Sequence, residues 1–151
     1  MEHIRMAKAE DAARIAEIEI FNYRLNFYPI FRCDEFYFGE MQVPALMQAC
    51  MRDEVLSRTC VYDDGVVKGF VRMDGTEIKK LFVEPVLQGQ GIGAKLLEYA
   101  VRHKGGDCLW ALEKNIRAIA IYRRHGFCLT GEKKLEEDTT EYLVRLERTP
   151  H

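Results

Sequence analysis

The sequence predicts an α+β protein with a mixed, mostly antiparallel central sheet flanked by about four helices. The apolar period changes from helical to two residues near Thr59. Three short strands then follow, separated by tight-turn signals at residues 63–65 and 74–75. The expected order is a strand, two helices, a three-strand meander, a helix, a strand, a helix and two strands, which is typical of an α+β protein. The 151 residues suit one domain, and we expect that domain to span residues 1–151.

The first part of the chain is predicted to be mainly helical. Ile4 and Met6 alternate with polar residues and indicate a short first strand. Residues 8–11 lead into a helix expected over Ala12–Phe21, with an apolar stripe on one face and acids on the other. A second helix is expected over Val43–Arg52. Between the two, Pro29 and Gly39 predict that no long helix continues.

The remaining elements follow from turn residues and apolar spacing. The expected strands are Thr59–Tyr62, Val66–Met73, Glu77–Val83, Asp107–Leu112, Cys128–Lys133 and Glu141–Leu146. The expected helices are Gly91–Lys104, stopped by Gly105 and Gly106, and Ile116–His125, closed by Gly126.

Composition excludes several classes of function. Apolar residues make up 48% and charged residues 30%, as in a soluble globular protein, and the formal charge is −2. A nucleic-acid partner is not expected, because it would require a basic stripe. No apolar run is long enough for a membrane helix, and residues 1–10 are too polar for a signal peptide. Five scattered cysteines predict reduced thiols without a metal site. We therefore expect a cytoplasmic protein without a membrane partner.

A glycine-rich loop is the most informative segment. The strand ending at Val83 cannot continue through Pro85, and Gly89, Gly91 and Gly93 then lead into a helix. Glycine permits positive φ and lets backbone N–H groups approach a ligand. The free N–H groups of a helix's first turn form an anion site. The pattern predicts a loop that wraps a phosphate or pyrophosphate.

Two common phosphate loops do not fit this segment. A P-loop requires a hydroxyl residue after its lysine, but Leu96 follows Lys95. The dinucleotide fingerprint is formally met by Gly89, Gly91 and Ala94. That fingerprint, however, follows its strand directly and opens a series of βαβ units. Here the strand belongs to an antiparallel meander, and too little chain remains for two mononucleotide-binding halves.

A third pattern fits, and it rests on two motifs. Gln88-x-x-Gly91-x-Gly93 resembles the Q/R-x-x-G-x-G/A signature of the GNAT (Gcn5-related N-acetyltransferase) superfamily. A second block resembles that family's N-x-x-A-x-x-[FL]-Y-x-x-x-G-F motif, matched by Asn115, Ala118, Tyr122, Gly126 and Phe127, with Ile121 where Phe or Leu is commoner. The resemblance is specific from about Thr59 to Phe127 and is only topological elsewhere.

The resemblance implies that acetyl-CoA is the co-substrate, without a metal. In this family a bulge splays the fourth strand from the fifth, and the pantetheine arm lies in the gap. Leu81, Phe82 and Val83 would present backbone groups to that arm, and an N–H near Phe82 or Val83 would stabilise the oxyanion. The expected pyrophosphate-binding residues are Gln88, Gly89, Gln90, Gly91, Ile92, Gly93 and Ala94. Asn115 is expected to cap its helix and to contact the coenzyme.

The resemblance also implies two catalytic residues. Tyr122 is expected to be the general acid that protonates the leaving thiolate, and the alternative is a tyrosine that only packs in the core. Glu77 is the best candidate for the base, because it precedes Gln88 by eleven residues, as does the base of the histone-acetylating branch. A solvated glutamate beside two lysines is an equal alternative, and Glu84 and Glu113 are reserves.

The expected function is therefore acetyl transfer to a primary amine of a small molecule. Eight of the 16 aromatic residues lie between Phe21 and Phe38, the region that shapes the acceptor site in this family. For most of them we expect core packing or a dimer contact, and Tyr23, Tyr28 and Tyr37 are the ones to mutate first. The alternatives are acetylation of a peptide α-amino or lysine group, and a non-catalytic acyl-CoA-binding module. Homodimers are common in the family, and no surface signal decides this point.

Overall fold

A single seven-stranded sheet organises the computed structural model, which describes residues 3–137 and 139–149. Its strand order is β1-β2-β3-β4-β5-β7-β6, and β4 and β5 are the parallel pair while the other neighbours are antiparallel. The predicted mixed, mostly antiparallel sheet is thus confirmed. The strands are β1 (Ile4–Met6), β2 (Thr59–Asp63), β3 (Val67–Asp74), β4 (Glu77–Val83), β5 (Cys108–Leu112), β6 (Phe127–Leu135) and β7 (Tyr142–Arg148).

The helices are more numerous than the four expected, because short segments flank the long ones. The α-helices are α1 (Ala12–Asn22), α2 (Tyr28–Phe31), α3 (Val43–Cys50), α4 (Asp53–Leu56), α5 (Ile92–Lys104) and α6 (Ile116–Arg124). The predicted helix over Val43–Arg52 is interrupted, since Arg52 has the extended backbone angles φ −65° and ψ 136°. The chain resumes as α4 one residue later.

The aromatic segment is more helical than its sequence predicts. Two π-helical stretches, Tyr23–Phe27 and Glu35–Glu40, flank α2. Pro29 was expected to break the helix, and this expectation is wrong, because Pro29 occupies the first turn of α2, where a missing N–H costs nothing. The turn comes instead at Arg32, which has the left-handed φ of 52°. Gly39 lies inside the second π-helical stretch.

The sheet carries a separate apolar layer on each face. In β3, the side chain of Phe70 packs with α1 on one face, and that of Val71 packs with α5 on the other. The α5 layer contains the buried helix residues Ile92, Leu96, Leu97 and Ala100. The aromatic segment forms a third cluster around buried Ile20, Tyr37 and Met41. The end of β4 therefore lies between α1 and α5.

Two further features bear on the expected partners. In residues 3–137 and 139–149, no helix combines the length and apolar character needed to cross a bilayer. Over the same residues, no three His, Cys, Asp or Glu side chains converge as a metal site would require. All five cysteines are free thiols, and Cys50, Cys60 and Cys108 are buried.

Candidate active site

Strands β4 and β5 separate along their length. They share one ladder pair, Glu77 with Cys108. The β3–β4 register shifts between the pairs Arg72–Lys80 and Met73–Ile78, so Lys79 is an extra residue in β4. Such a bulge bends a strand and can end its pairing on one side. Beyond the bulge, β4 stays paired with β3 while β5 pairs with β7. A gap therefore opens between β4 and β5 toward Val83.

The backbone groups that face this gap can be assigned from the ladder. The N–H of Glu84 donates to the carbonyl of Lys68 on the β3 side, at 2.9 Å. Residues two apart in an antiparallel strand point the same way, so the Phe82 backbone also faces β3. Leu81 and Val83 then face the gap. Of the two residues expected to supply the oxyanion N–H, the geometry favours Val83, and Phe82 contributes its ring instead.

The glycine loop has the torsions that its sequence predicts at two of three positions. Gly89 has φ 88° and Gly91 has φ 84°, both in the left-handed region that favours glycine. Gly93, in contrast, lies within the helix at an ordinary φ, and a β-carbon there would touch Val83 Cγ2 at 3.6 Å. Gly89, Gln90 and Gly91 are exposed, so their backbone is accessible.

The loop ends at an uncapped helix terminus. Gly91 precedes α5 and offers no side chain to its first turn, and the first intrahelical bond is Lys95 N–H to the Gly91 carbonyl, at 3.1 Å. The N–H groups of Ile92, Gly93 and Ala94 thus lack intrahelical acceptors. No acidic residue lies in this turn. The terminus has the amides and the positive dipole end of an anion site.

The Gln88 side chain turns away from this terminus. Its Nε2 donates to Asn22 Oδ1 at 3.1 Å and to the Val83 carbonyl at 3.3 Å. The sequence places Gln88 at the pyrophosphate, whereas the structure shows its amide bracing the start of the loop. Any anion contact from Gln88 would therefore come from its backbone.

Helix α6 carries the second motif. The Asn115 side chain accepts from the Ala118 N–H at 3.3 Å, so the predicted cap is present. Tyr122, two turns on, packs in the cluster that also contains Leu81 and Val83. Burial raises the pKa of Tyr122 to about 12, because the phenolate is poorly solvated there. Among the described residues nothing hydrogen-bonds its hydroxyl. The phenol is neutral at pH 7 and its proton is available.

The three acids considered as bases all have cationic neighbours. Glu77 Oε2 lies 3.1 Å from Lys79 Nζ, Glu84 is paired with an arginine at 2.9 Å, and Glu113 is paired with a lysine at 2.7 Å. Glu77 opens β4, about 20 Å along the strand from Val83 at about 3.3 Å per residue. The structure does not bring Glu77 together with the Val83 end of the gap, whereas Glu84 adjoins that end.

A buried charge group at the α1 face was missed by the sequence reasoning. Glu19 of α1 is 1% exposed, and its Oε1 lies 3.1 Å from Lys80 Nζ and 3.7 Å from Arg72 Nη1. Tyr23 follows one turn later, with its ring edge-on to Phe82 at 5.4 Å between centroids. Burial and the Glu19 charge raise the pKa of Tyr23. The signal was present, because an acid stands in the apolar stripe of the predicted helix.

The three tyrosines selected for mutation have different environments. Tyr37 is buried, and the Tyr28 hydroxyl donates to Asp34. Tyr23 alone of the three packs directly on β4, through Phe82. Five of the eight aromatic residues belong to the third apolar cluster, whereas Phe21, Phe36 and Phe38 are exposed. Tyr23 is the one best placed to contact a molecule at the gap.

Two cavities lie away from this arrangement. One, of about 140 Å³, is lined by Met6, Cys60, Met73 and Lys104 among others. The second, of about 360 Å³, lies near Asp107 at the closed end of the β4–β5 pair. Neither is lined by the glycine loop or by Tyr122.

Comparison with known proteins shows which family the central part of the chain resembles. Residues 56–128, just under half of the chain, match the family described as acetyltransferase (GNAT) domain. This part of the chain resembles the GNAT superfamily. The match contains β4, the gap, the glycine loop and the second motif, and it leaves α1 and the aromatic segment outside.

Individual relatives support the same family over part of their length. The chain is 32% identical over 77 residues to peptidyl-lysine N-acetyltransferase YjaB of Salmonella typhimurium, covering 51% of this chain and 53% of that protein. It is 34% identical over 77 residues to spermine/spermidine N(1)-acetyltransferase of Bacillus subtilis, covering 47% of each. The chain thus spans about half the length of these relatives.

Solved structures extend the GNAT fold over nearly the whole chain. The PaiA N-acetyltransferase of Thermoplasma acidophilum, solved in complex with coenzyme A, superimposes with a TM-score of 0.67. The match covers 95% of this chain and 97% of that chain at 18% identity. At this identity the likeness shows the fold alone.

Proposed function

We propose that this protein is an N-acetyltransferase that moves the acetyl group of acetyl-CoA to a primary amine of a small molecule. The observation that carries the proposal is the combination of an unpaired β4–β5 stretch with an uncapped, accessible helix terminus at the same end of β4. We further propose that residues 1–151 act as one acetyltransferase domain in the cytoplasm.

The residues present fit acetyl-CoA. Leu81 and Val83 offer strand backbone to an extended pantetheine arm, in the manner of an added β-strand. The backbone of residues 88–94 offers N–H groups to the pyrophosphate, and a β-carbon at Gly89 or Gly91 would meet nothing within 4 Å. Space and donors are therefore both present. Asn115 would contact the coenzyme from the start of α6, and PaiA provides a relative of this fold that binds coenzyme A.

The reaction we propose is direct attack. The neutral amine adds to the thioester carbonyl, and the Val83 N–H stabilises the oxyanion, an effect of about 10²–10³ in rate for one donor. The C–S bond then breaks, and Tyr122 donates its proton to the departing thiolate. The raised pKa keeps Tyr122 protonated until that step. The ammonium proton of the adduct leaves to a base, which completes the balance.

Glu77 is our proposed base, and a chain of several bound waters would carry the proton to it, because about 20 Å of strand separates it from Val83. An alkylamine is neutral in only about one molecule in 10³ at pH 7, so its deprotonation matters to the rate. We expect Glu77→Gln to lower the rate about tenfold at pH 7. The rate should recover near the pKa of the amine, where much of the amine is already neutral and needs no protein base. A pH–rate profile parallel to that of the wild type would remove Glu77 from the mechanism.

Peptide lysines are the second candidate acceptor. The relative named peptidyl-lysine N-acetyltransferase favours them, and the spermine/spermidine relative favours a small polyamine. Both offer a primary amine on an alkyl chain, so the reacting atoms are the same. The proposed partner is thus an amine acceptor, and a homodimer is compatible with the fold.

A coenzyme A release assay with an acceptor panel tests the proposal. The panel contains polyamines, aromatic amines, lysine peptides and free N-terminal peptides. We expect at least one small amine to accelerate release, and mass spectrometry to find a mass gain of one acetyl group on it. If acetyl-CoA binds and no acceptor accelerates release, the protein is a non-catalytic acyl-CoA-binding module and the enzymatic proposal fails.

A further inference from the structure

Helix α1 is fastened to β4 and its loop by side chains spaced along one face. Arg14 pairs with Glu84 at 2.9 Å, Glu19 with Lys80 at 3.1 Å, and Asn22 donates to the Val83 carbonyl at 2.8 Å. The first two contacts are ion pairs whose arginine and lysine are about a third exposed, whereas the third is a buried amide contact. Of the three, Asn22 is the one that reaches the glycine loop.

Asn22 is the last residue of α1, and its amide is fully used. The residue is 2% exposed. Its Nδ2 donates to the Ile18 carbonyl and to the Val83 carbonyl, both at 2.8 Å. Its Oδ1 accepts from Gln88 at 3.1 Å and, more weakly, from Asn26 at 3.4 Å. A buried amide with every donor and acceptor engaged is fixed in one orientation.

These bonds fix the peptide unit between Val83 and Glu84 on both sides. Its carbonyl accepts from Asn22 and from Gln88, and its N–H donates to the Lys68 carbonyl at 2.9 Å. This is the peptide at which β4 ends and the glycine loop begins. Its plane determines how the loop leaves the strand.

We propose that Asn22 is a positioning residue that, with Gln88, holds the end of β4 and the start of the glycine loop in the geometry that binds coenzyme A. This inference rests on the proposed function. Asn22 itself touches no reacting atom. It also stands directly before the π-helical stretch that carries Tyr23, so one side chain joins the acceptor side of the cleft to the coenzyme side.

A double-mutant cycle of Asn22→Ala, Gln88→Ala and the double variant tests the inference by calorimetric titration with coenzyme A. We expect Asn22→Ala to weaken binding about tenfold, since a buried hydrogen-bonded amide is lost. Gln88→Ala should weaken it about threefold, and the double variant should be no weaker than Asn22→Ala alone. Additive losses would overturn the shared role.

Ile15→Val is the matched control for a merely structural effect. Ile15 lies on the same helix, is fully buried and makes none of these hydrogen bonds. We expect it to lower the melting temperature without changing the coenzyme affinity or the KM for acetyl-CoA. If Asn22→Ala behaves like Ile15→Val, with lowered stability and unchanged affinity, the inference is wrong.

Two further measurements keep the outcome decisive. Should Asn22→Ala not fold, Asn22→Asp takes its place, because it keeps the size and the acceptor for Gln88 while setting a carboxylate against the Val83 carbonyl. We expect an affinity loss at least as large as that of the alanine variant, and unchanged affinity would refute the inference. Wild-type protein that ignores millimolar coenzyme A would overturn the proposed function, whereas normal wild-type binding with unaffected variants overturns this inference alone.

Discussion

The two sides of the β4 end are built on different principles. On the coenzyme side, the candidate donors are backbone N–H groups, set by a bulge, by two left-handed glycines and by an uncapped helix. On the acceptor side, α1 and the π-helical stretch present side chains such as Glu19 and Tyr23. A site made of backbone depends on torsion and pairing. A site made of side chains can change its specificity by single substitutions while the fold stays the same.

The largest expected effect is at Tyr122. It is a side chain with a proposed chemical role on the coenzyme side, where the other candidate groups are backbone N–H groups. We expect Tyr122→Phe to lower kcat about 10²–10³-fold, because the proton donor to the thiolate is lost. Coenzyme affinity should stay within about threefold, because no hydrogen bond of the loop is removed. Steady-state kinetics with titration calorimetry separates the two.

Tyr99→Phe is the control for that change. Tyr99 packs in the same α5-side cluster but stacks on His103, away from the second motif. We expect its kcat to be unchanged. Equal losses in both variants would mean that Tyr122 only packs in the core.

The next largest effect tests whether torsion controls the coenzyme side. Gly91→Asp places a side chain at φ 84° and a negative charge beside the proposed pyrophosphate. Left-handed strain and charge repulsion together should weaken coenzyme A binding about 100-fold with the domain still folded. Gly93→Ala, at an ordinary helical φ, should cost much less. Similar losses at the two glycines would contradict the torsional account.

Gly69 tests how closely strand β3 is packed against β4 and α5. A β-carbon there would lie 2.9 Å from the Phe82 carbonyl and 3.1 Å from Leu96 Cδ1. We expect Gly69→Ala to destabilise the protein by about 2 kcal/mol through overpacking between β3, β4 and α5. Gly39→Ala, with nothing within 4 Å, is the control. Denaturant unfolding measures both, and equal stability of the two variants would mean that β3 and β4 adjust freely.

The smallest effect concerns alkaline pH. The folded-state pKa of Tyr122, about 12, lies above the unfolded value of 10. Its contribution to stability is therefore complete below pH 10 and is lost as the pH rises from 10 through 12. We expect Tyr122→Phe to remove about 1–2 kcal/mol of that alkaline loss, less than the full shift because the residue is partly exposed. Urea unfolding at pH 9 and pH 11 measures how far the free energy of unfolding falls between these two pH values. An equal fall in the wild type and in Tyr122→Phe would refute the desolvation of Tyr122.

The coenzyme side was predictable because its signals are local. Positive φ at Gly89 and Gly91, and the cap by Asn115, follow from residue type and position alone, and the structure confirms them. The bulge at Lys79 was expected from the family resemblance, since no residue type in β4 demands it. Gly93 does not use the positive φ that glycine permits. The pattern of alternating glycines could not predict this difference from Gly89 and Gly91.

The acceptor side was less predictable because its features depend on tertiary contacts. The π-helical stretches lie where aromatic residues pack on one another. Pro29 lies in the first turn of a helix, at a position where the sequence alone predicts that the helix ends. Glu19 and Asn22 contact Lys80 and Val83 of β4, each 61 residues further along the chain. The sequence around α1 therefore does not indicate these contacts. Only the charge of Glu19 in an apolar stripe hinted at it.

Amide NMR during a coenzyme A titration tests the central claim most directly. We predict that the largest shifts of backbone N–H signals fall on residues 89–94 and on Leu81 and Val83, while Phe82, paired to β3, moves less. Binding with unshifted amides at residues 89–94, or no binding at millimolar coenzyme A, would contradict the account.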